Sequence, residues 1–347
     1  MRWDLFCQVI DNHGDAGVCW RAAAELGARG EQVRLWIDDP SLLRWMAPSG
    51  APGVEVVPWN AQSPVPEPGD VVVEAFGCNP PAAFVARMAA QRPPPAWLNL
   101  EYLSAESYVE RSHGLPSPVM QGPGAGLVKR FVYPGFTERT AGLLREADLP
   151  RRRQEFDRPG WLRQWGVEDG QAQVASLFCY EPAALPGLLQ QLREGPIETD
   201  LLVTAGRAAA AVRASGIGAG GNLRLRFLPL LDQREYDRLL WSCDLNFVRG
   251  EDSLVRGLLA GAPFVWQIYP QDDGAHLAKL DAFLDWLQPP PGLRDFFLAW
   301  NGVARHPMPP VDVAGWRETA RAASQRAHAL PELATGLMRF AAGRARI

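Results

Sequence analysis

The sequence contains no long apolar run. No stretch reaches the roughly 20 apolar residues that a membrane-spanning helix requires. No basic segment followed by an apolar core precedes the strand-like Trp3–Ile10, so no signal peptide is expected. Cysteine is sparse. Cys7, Cys19, Cys78, Cys179 and Cys243 are scattered and form no C-x-x-C pair, which argues against a zinc site or a disulfide framework and for reduced thiols in the cytoplasm. His13, His113, His276 and His306 lack metal-ligand spacing, so no metal site is expected. Nor is there an excess of positive charge: a net charge of −4 gives no reason to expect nucleic acid or an anionic membrane as a partner. No G-x-G-x-x-G follows any strand-like run, which speaks against a nicotinamide oxidoreductase.

What is present is an alternation. With 347 residues the chain has room for about two domains. Strand-like runs at Trp3–Ile10, Val33–Ile37, Val54–Val57, Val71–Glu74 and Trp97–Leu100 are separated by helical segments, one of them Pro81–Gln91. A second series runs through Gln173–Tyr180, Leu201–Thr204, Leu223–Phe227, Asp244–Val248 and Pro263–Gln267. Strands alternating with helices imply α/β architecture with parallel, doubly wound sheets. Two Rossmann-like domains facing across a cleft are therefore expected, residues 1–168 and 169–330, with a junction near Gly166–Gly170. Residues 102–126 read as loop; Thr137–Ala147, Pro159–Trp165 and 311–342 read as helix. The last residues, about 331–347, are expected to pack back on the first domain. The basic run Arg151–Arg153 reads as a solvated face.

Two turns carry the candidate chemistry. The first, Asp11-Asn12-His13-Gly14-Asp15-Ala16-Gly17, lies between a strand and a helix. Two carboxylates near a helix start repel a diphosphate, so this turn suits a base or a cation contact; the plain alternative is that Asp15 caps the helix. The second, Arg249-Gly250-Glu251-Asp252-Ser253, follows the strand Leu245–Val248 and opens a helix that Gly261 ends. Its free backbone N–H groups, the Arg249 guanidinium, the close approach allowed by Gly250 and the Ser253 hydroxyl together suit a phosphate. Glu251 suits ribose hydroxyls or an acceptor nitrogen. The alternative is a capped surface helix with a local ion pair. Phe178 and Tyr180 end one strand and suit a sugar pocket or the core. Phe227 ends another and suits base stacking or packing. Tyr269, Gln271 and Asp273 follow the last strand of the series.

With these residues in view, the chain resembles the elongation factor P arginine rhamnosyltransferases. The resemblance rests on Asp11 through Arg21, on Ser176-Leu177-Phe178-Cys179-Tyr180-Glu181, and on Asn246 through Gln271, and it spans nearly the whole chain. It implies a GT-B fold and an inverting, metal-independent transfer without a cofactor. The donor would be dTDP-β-L-rhamnose and the acceptor an arginine of translation elongation factor P. Residues 1–168 would bind the acceptor and 169–330 the nucleotide sugar. Carried over by position, Asp15 would be the general base, Asp11 its supporting carboxylate and Glu251 the reserve. Phe178, Tyr180, Phe227, Arg249, Gly250, Glu251, Asp252 and Ser253 would contact the donor, with Gly14, Gly17, Tyr269 and Gln271 completing that set. His13 stands where the family usually has Phe or Tyr, and Leu230 where it usually has Gln. The competing readings are a GT-B transferase with another sugar or acceptor, and a non-catalytic nucleotide-sugar-binding adaptor.

Overall fold

Most strands are four to six residues long, and most consecutive pairs are separated by helix, which favours parallel crossovers. The computed structural model describes residues 1–9, 13–60, 62–63, 65–168, 170, 172–303 and 307–343. It divides into two compact units, Met1–Ala147 with Leu330–Ile347, and Asp148–Ala329.

The first unit contains, in order, β1 (Arg2–Cys7), α1 (Gly14–Ala28), β2 (Gln32–Ile37), α2 (Leu43–Met46), β3 (Val54–Pro58), β4 (Val71–Ala75), α3 (Ala82–Ala90), β5 (Ala96–Leu100), α4 (Tyr108–Ser112), β6 (Pro116–Pro118) and β7 (Val128–Val132). The sheet order is β3-β2-β1-β4-β5-β7-β6, parallel apart from β6, which runs antiparallel to β7. Alternate residues of each strand feed opposite layers. Leu5, Val73 and Leu98 pack with Ala23 and Leu26 of α1; Phe6, Val72 and Trp97 pack with Phe84 and Met88 of α3. Each such side chain, fully buried, contributes about 1.5–3 kcal/mol.

The second unit contains α5 (Leu149–Gln154), α6 (Arg158–Gln164), β8 (Gln173–Leu177), α7 (Leu185–Glu194), β9 (Thr199–Val203), α8 (Arg207–Ala214), β10 (Leu223–Phe227), α9 (Gln233–Ser242), β11 (Leu245–Arg249), α10 (Gly250–Ala260), β12 (Phe264–Gln267), α11 (Ala275–Leu287), α12 (Pro291–Trp300) and α13 (Val313–Ala329). Its sheet is parallel, in the order β10-β9-β8-β11-β12. The chain then returns to the first unit as α14 (Leu333–Ala342).

Five expectations need correction. Residues 102–126 are not all loop, since α4 (Tyr108–Ser112) and β6 (Pro116–Pro118) lie within them. The boundary falls at Ala147/Asp148, not near Gly166–Gly170, because Trp161 and Leu162 of α6 are buried with Val174, Leu202 and Leu239 of the second unit. Thr137–Ala147 is not helical. Leu143 forms a parallel bridge to Glu332, and Gly142 has a φ of +69° with its α-carbon face against the Pro331 carbonyl, so this segment is shaped by the returning tail. Residues 311–342 form two helices, separated at Pro331, which cannot donate within a helix. Arg151–Arg153 lies within α5, and Arg152 is no solvated charge: it pairs with Asp148 and with buried Asp237.

The tail does pack on the first unit. Leu333, Ala334, Leu337 and Ala341 join the cluster formed by α1 and the sheet. Glu332 caps α14 by accepting from the backbone N–H groups of Ala334 (2.8 Å) and Thr335 (2.9 Å), and pairs with Arg29, which ends α1 as its C-cap.

Candidate active site

In the second unit β8 has β9 and β10 on one side and β11 and β12 on the other. Connections leave β8 and β11 in opposite directions, which opens a crevice at their carboxyl ends, where ligands bind in such sheets. The chain places its densest polar turn there. Arg249 ends β11 with extended backbone, φ −139° and ψ 154°, and Gly250 starts α10 at φ +65°, a conformation that favours glycine. The Gly250 carbonyl accepts from Trp266 Nε1 at 2.8 Å, which fixes the turn to β12.

The Arg249 guanidinium is clasped between two rings. Its carbon lies 4.4 Å from the Phe178 ring centre and 4.5 Å from that of Tyr180, and Nη1 donates to the Cys179 carbonyl at 3.3 Å. Cation–π contacts on both sides hold the cation in one plane at the start of α10. Tyr180 is fixed in turn: its N–H donates to Gln267 Oε1 at 2.8 Å, and its ring meets Tyr269 edge-on at 5.5 Å. Phe178 meets Tyr236 of α9 edge-on at 5.4 Å. Ser253 Oγ accepts from the Arg249 N–H at 2.9 Å and donates to the Arg249 carbonyl. Burial pushes the Cys179 thiol up to about 12, so it is an inert thiol behind the cation.

Glu251 pairs with Lys279 of α11. Arg207 pairs with Glu181 and holds that carboxyl below its usual range, while its guanidinium lies 4.8 Å from the Tyr180 ring. Phe227 stands apart at the end of β10, two strands from β8; it is 42% exposed, with the Arg213 guanidinium 4.5 Å from its ring centre. Leu230 and Gln271 are exposed, and Gln271 donates its N–H to His276 Nδ1 at 3.1 Å.

In the first unit β1 and β4 are the corresponding pair of strands. Asp15 lies in the first turn of α1, which follows β1, and is 3% exposed. It is not the capping residue. That position is His13, whose side chain makes no cap bond and instead meets Trp45 edge-on at 5.1 Å. The Gly17 N–H donates to the His13 carbonyl at 2.9 Å, closing the first turn. Asp15 adds to the burial and the neighbouring Cys7 that raise the Cys19 thiol. Asp11 lies outside the described residues.

The structure thus gathers Phe178, Tyr180, Arg249, Gly250, Ser253 and Tyr269 at the carboxyl ends of β8, β11 and β12, with Glu251 and Asp252 in the same helical turn. Sequence reading missed Gln267, Tyr236 and Lys279. Lys279 had a signal: the chain has two lysines, Lys129 and Lys279, and each pairs with a glutamate. Among the described residues, no group of three or more His, Cys, Asp or Glu could hold a metal ion, and no helix is long and apolar enough to cross a membrane.

Comparison with known proteins adds to this geometry. A family model described as elongation factor P (EF-P) rhamnosyltransferase EarP matches residues 3–342. The chain is 41% identical to a protein-arginine rhamnosyltransferase of Pseudomonas aeruginosa, over 97% of this chain and 98% of that one. It is 42% identical to the protein-arginine rhamnosyltransferase of Pseudomonas putida over the same shares. A solved structure described as the structural basis for EarP-mediated arginine glycosylation of EF-P is 30% identical, with a TM-score of 0.67 over 100% of this chain and 99% of that one. A Streptomyces glycosyltransferase solved with thymidine diphosphate is 12% identical, with a TM-score of 0.54 over 96% and 97%, a likeness of fold alone. The α/β, GT-B fold class expected from the sequence is borne out.

Proposed function

Because the chain belongs to the EarP family of rhamnosyltransferases, we propose that it transfers L-rhamnose from dTDP-β-L-rhamnose, with inversion, to an arginine side chain of translation elongation factor P. The observation that carries the donor half of this reading is the Arg249 guanidinium, held between Phe178 and Tyr180 at the start of α10. A sugar nucleotide leaves as a diphosphate, and its developing charge needs a preorganised cation and N–H groups. Arg249 supplies the cation, and the backbone N–H groups of the first turn of α10 supply the donors.

The remaining roles follow. Phe227 stacks on thymine with the ring face that Arg213 leaves open. Gly250 lets the diphosphate approach the backbone, and Asp252, Ser253, Tyr269 and Gln271 line the donor. Ser253 switches its hydroxyl from the Arg249 carbonyl to a phosphate oxygen. Gly14 and Gly17 keep the start of α1 open to the donor. As the new bond forms between a guanidino nitrogen and the anomeric carbon, the carbon–oxygen bond to dTDP breaks and its electron pair leaves with the phosphate. The proton lost from nitrogen goes to Asp15, with Asp11 in support. Glu251 is the weaker candidate for base because Lys279 already pairs with it. The second unit is the nucleotide-sugar-binding part and the first the acceptor-binding part. An acceptor that serves translation places the reaction in the cytoplasm.

Two measurements test this reading. Intact-mass analysis of elongation factor P after incubation with the enzyme and dTDP-rhamnose gains one deoxyhexose; no increment with folded enzyme and the cognate factor defeats it. Arg249→Ala weakens dTDP binding by about 10- to 100-fold in calorimetry, the worth of a charge-assisted hydrogen bond. Unaltered affinity in that variant removes Arg249 from the donor site.

A further inference from the structure

Beyond the carboxyl ends of β4 and β5 the first unit carries an aromatic pair that the donor chemistry does not use. Phe76 follows β4 and Tyr102 lies two residues beyond β5. Their rings stack face to face, with centroids 4.6 Å apart and planes 18° apart. Phe76 is buried, with φ +58°, a backbone conformation that a bulky residue rarely adopts and that recurs at binding sites. Its N–H donates to the Leu100 carbonyl at 2.8 Å, so the outlier is anchored to β5. Tyr102 is held by its chain neighbours: the Glu101 N–H donates to the Val132 carbonyl at 3.0 Å, and Leu103 is buried. Yet Tyr102 itself is 37% exposed. A fixed tyrosine ring, backed by a second ring on one side, presents a platform.

The platform stands beside the proposed base. Phe76 belongs to the same buried cluster as Ala16, the next residue after Asp15 in α1, and Cys19, one turn further on. Strands β1 and β4 are the pair between which the first unit's crevice opens, and β5 is the next neighbour. The strand that leads into α1 and the strands that carry the stack thus lie within two strand spacings, about 10 Å, of one another in the sheet. The local charge is acidic. Glu101 is half-buried, burial raises its carboxyl, and its side chain accepts from Asn99 Nδ2 at 2.9 Å; among the described residues it has no cationic partner. A flat, cationic side chain matches an aromatic face flanked by carboxylates.

We infer that the Phe76–Tyr102 stack is the surface on which the acceptor's arginine lays its guanidinium, turning its N–H edge toward Asp15. The inference rests on the reading of the chain as an arginine rhamnosyltransferase and adds to it an acceptor-binding residue, Tyr102. Stacking leaves the guanidinium edge available for hydrogen bonding, so one contact orients the group while another takes its proton.

The test is a double-mutant cycle on the full-length enzyme, with elongation factor P and a form of it whose target arginine is alanine. Tyr102→Leu and Tyr102→Met each remove the ring, and whichever keeps the parent circular dichroism and dTDP affinity is used. That variant binds the arginine factor about 5- to 30-fold more weakly, the range of a cation–π contact. It binds the alanine factor like the parent enzyme, and Tyr102→Phe restores the affinity for the arginine factor. Equal weakening toward both factors, or no weakening toward either, overturns the inference. A parent enzyme that adds no deoxyhexose to the factor overturns the functional reading and this inference with it. An active parent with an indifferent Tyr102→Leu variant overturns this inference alone.

Discussion

Asp15→Asn lowers turnover by about 100- to 10,000-fold, the usual contribution of a positioned general base, while dTDP binds as to the parent chain. The size follows from the nucleophile. A guanidinium has a pKa above about 12, and its lone pair is delocalised, so it attacks only as a carboxylate removes its proton. Asparagine keeps the volume and polarity at the start of α1 but accepts no proton at neutral pH. Asp15 is 3% exposed, and the capping position of α1 belongs to His13, so loss of a helix cap does not account for lost activity. Single-turnover rates and dTDP calorimetry on one preparation separate the two effects. Lost nucleotide binding in the variant, or turnover near the parent rate, contradicts the role given to Asp15.

The second large effect is on stability. Asp237 of α9 is 1% exposed and receives two hydrogen bonds of 2.8 Å from Arg256 of α10 and one of 3.0 Å from Arg152 of α5. Removing one partner of a buried pair leaves the other charge without compensation. Asp237→Ala therefore costs about 3–5 kcal/mol, or a fall in Tm of roughly 6–20 °C for a unit of this size. Asp237→Asn keeps hydrogen-bonding capacity and falls between the two. Because α10 begins at Gly250, directly after Arg249, the Asp237→Ala variant also loosens the anchor of the donor turn. Differential scanning calorimetry with and without dTDP reads both consequences. A Tm within a degree or two of the parent means that water reaches the pair and the charges are not isolated.

Much of the fold was legible because its physics is local. The parallel strands announced themselves as apolar runs of strand length, and Gly261 ended α10 in the left-handed conformation that a glycine stop implies. Two of the errors share one source. Thr137–Ala147 has helical composition, but at its centre the backbone of Leu143 bonds to Pro331 and Leu333, nearly two hundred positions away in sequence, and local propensity carries no trace of that partner. The unit boundary was missed for the same reason: α6 looks like the end of one series until its tryptophan is seen against α9. At the candidate site, the Arg249 turn was legible as a cluster of residue types. That Phe178 and Tyr180 clasp the cation between them was not, because it depends on β8 and β11 being neighbours. The Phe76–Tyr102 stack was silent for the same reason, since Tyr102 falls where the sequence shows no periodicity.

The path of the backbone bears on how the protein is made. Helix α14 belongs to the first unit but is encoded after the whole of the second. During synthesis, residues 1–147 leave the ribosome without the helix that covers Trp20 and Leu26, whereas residues 148–329 emerge as one continuous piece. Of the two units, the one whose synthesis starts earlier is completed later, and until α14 has emerged its apolar face on α1 needs other shelter.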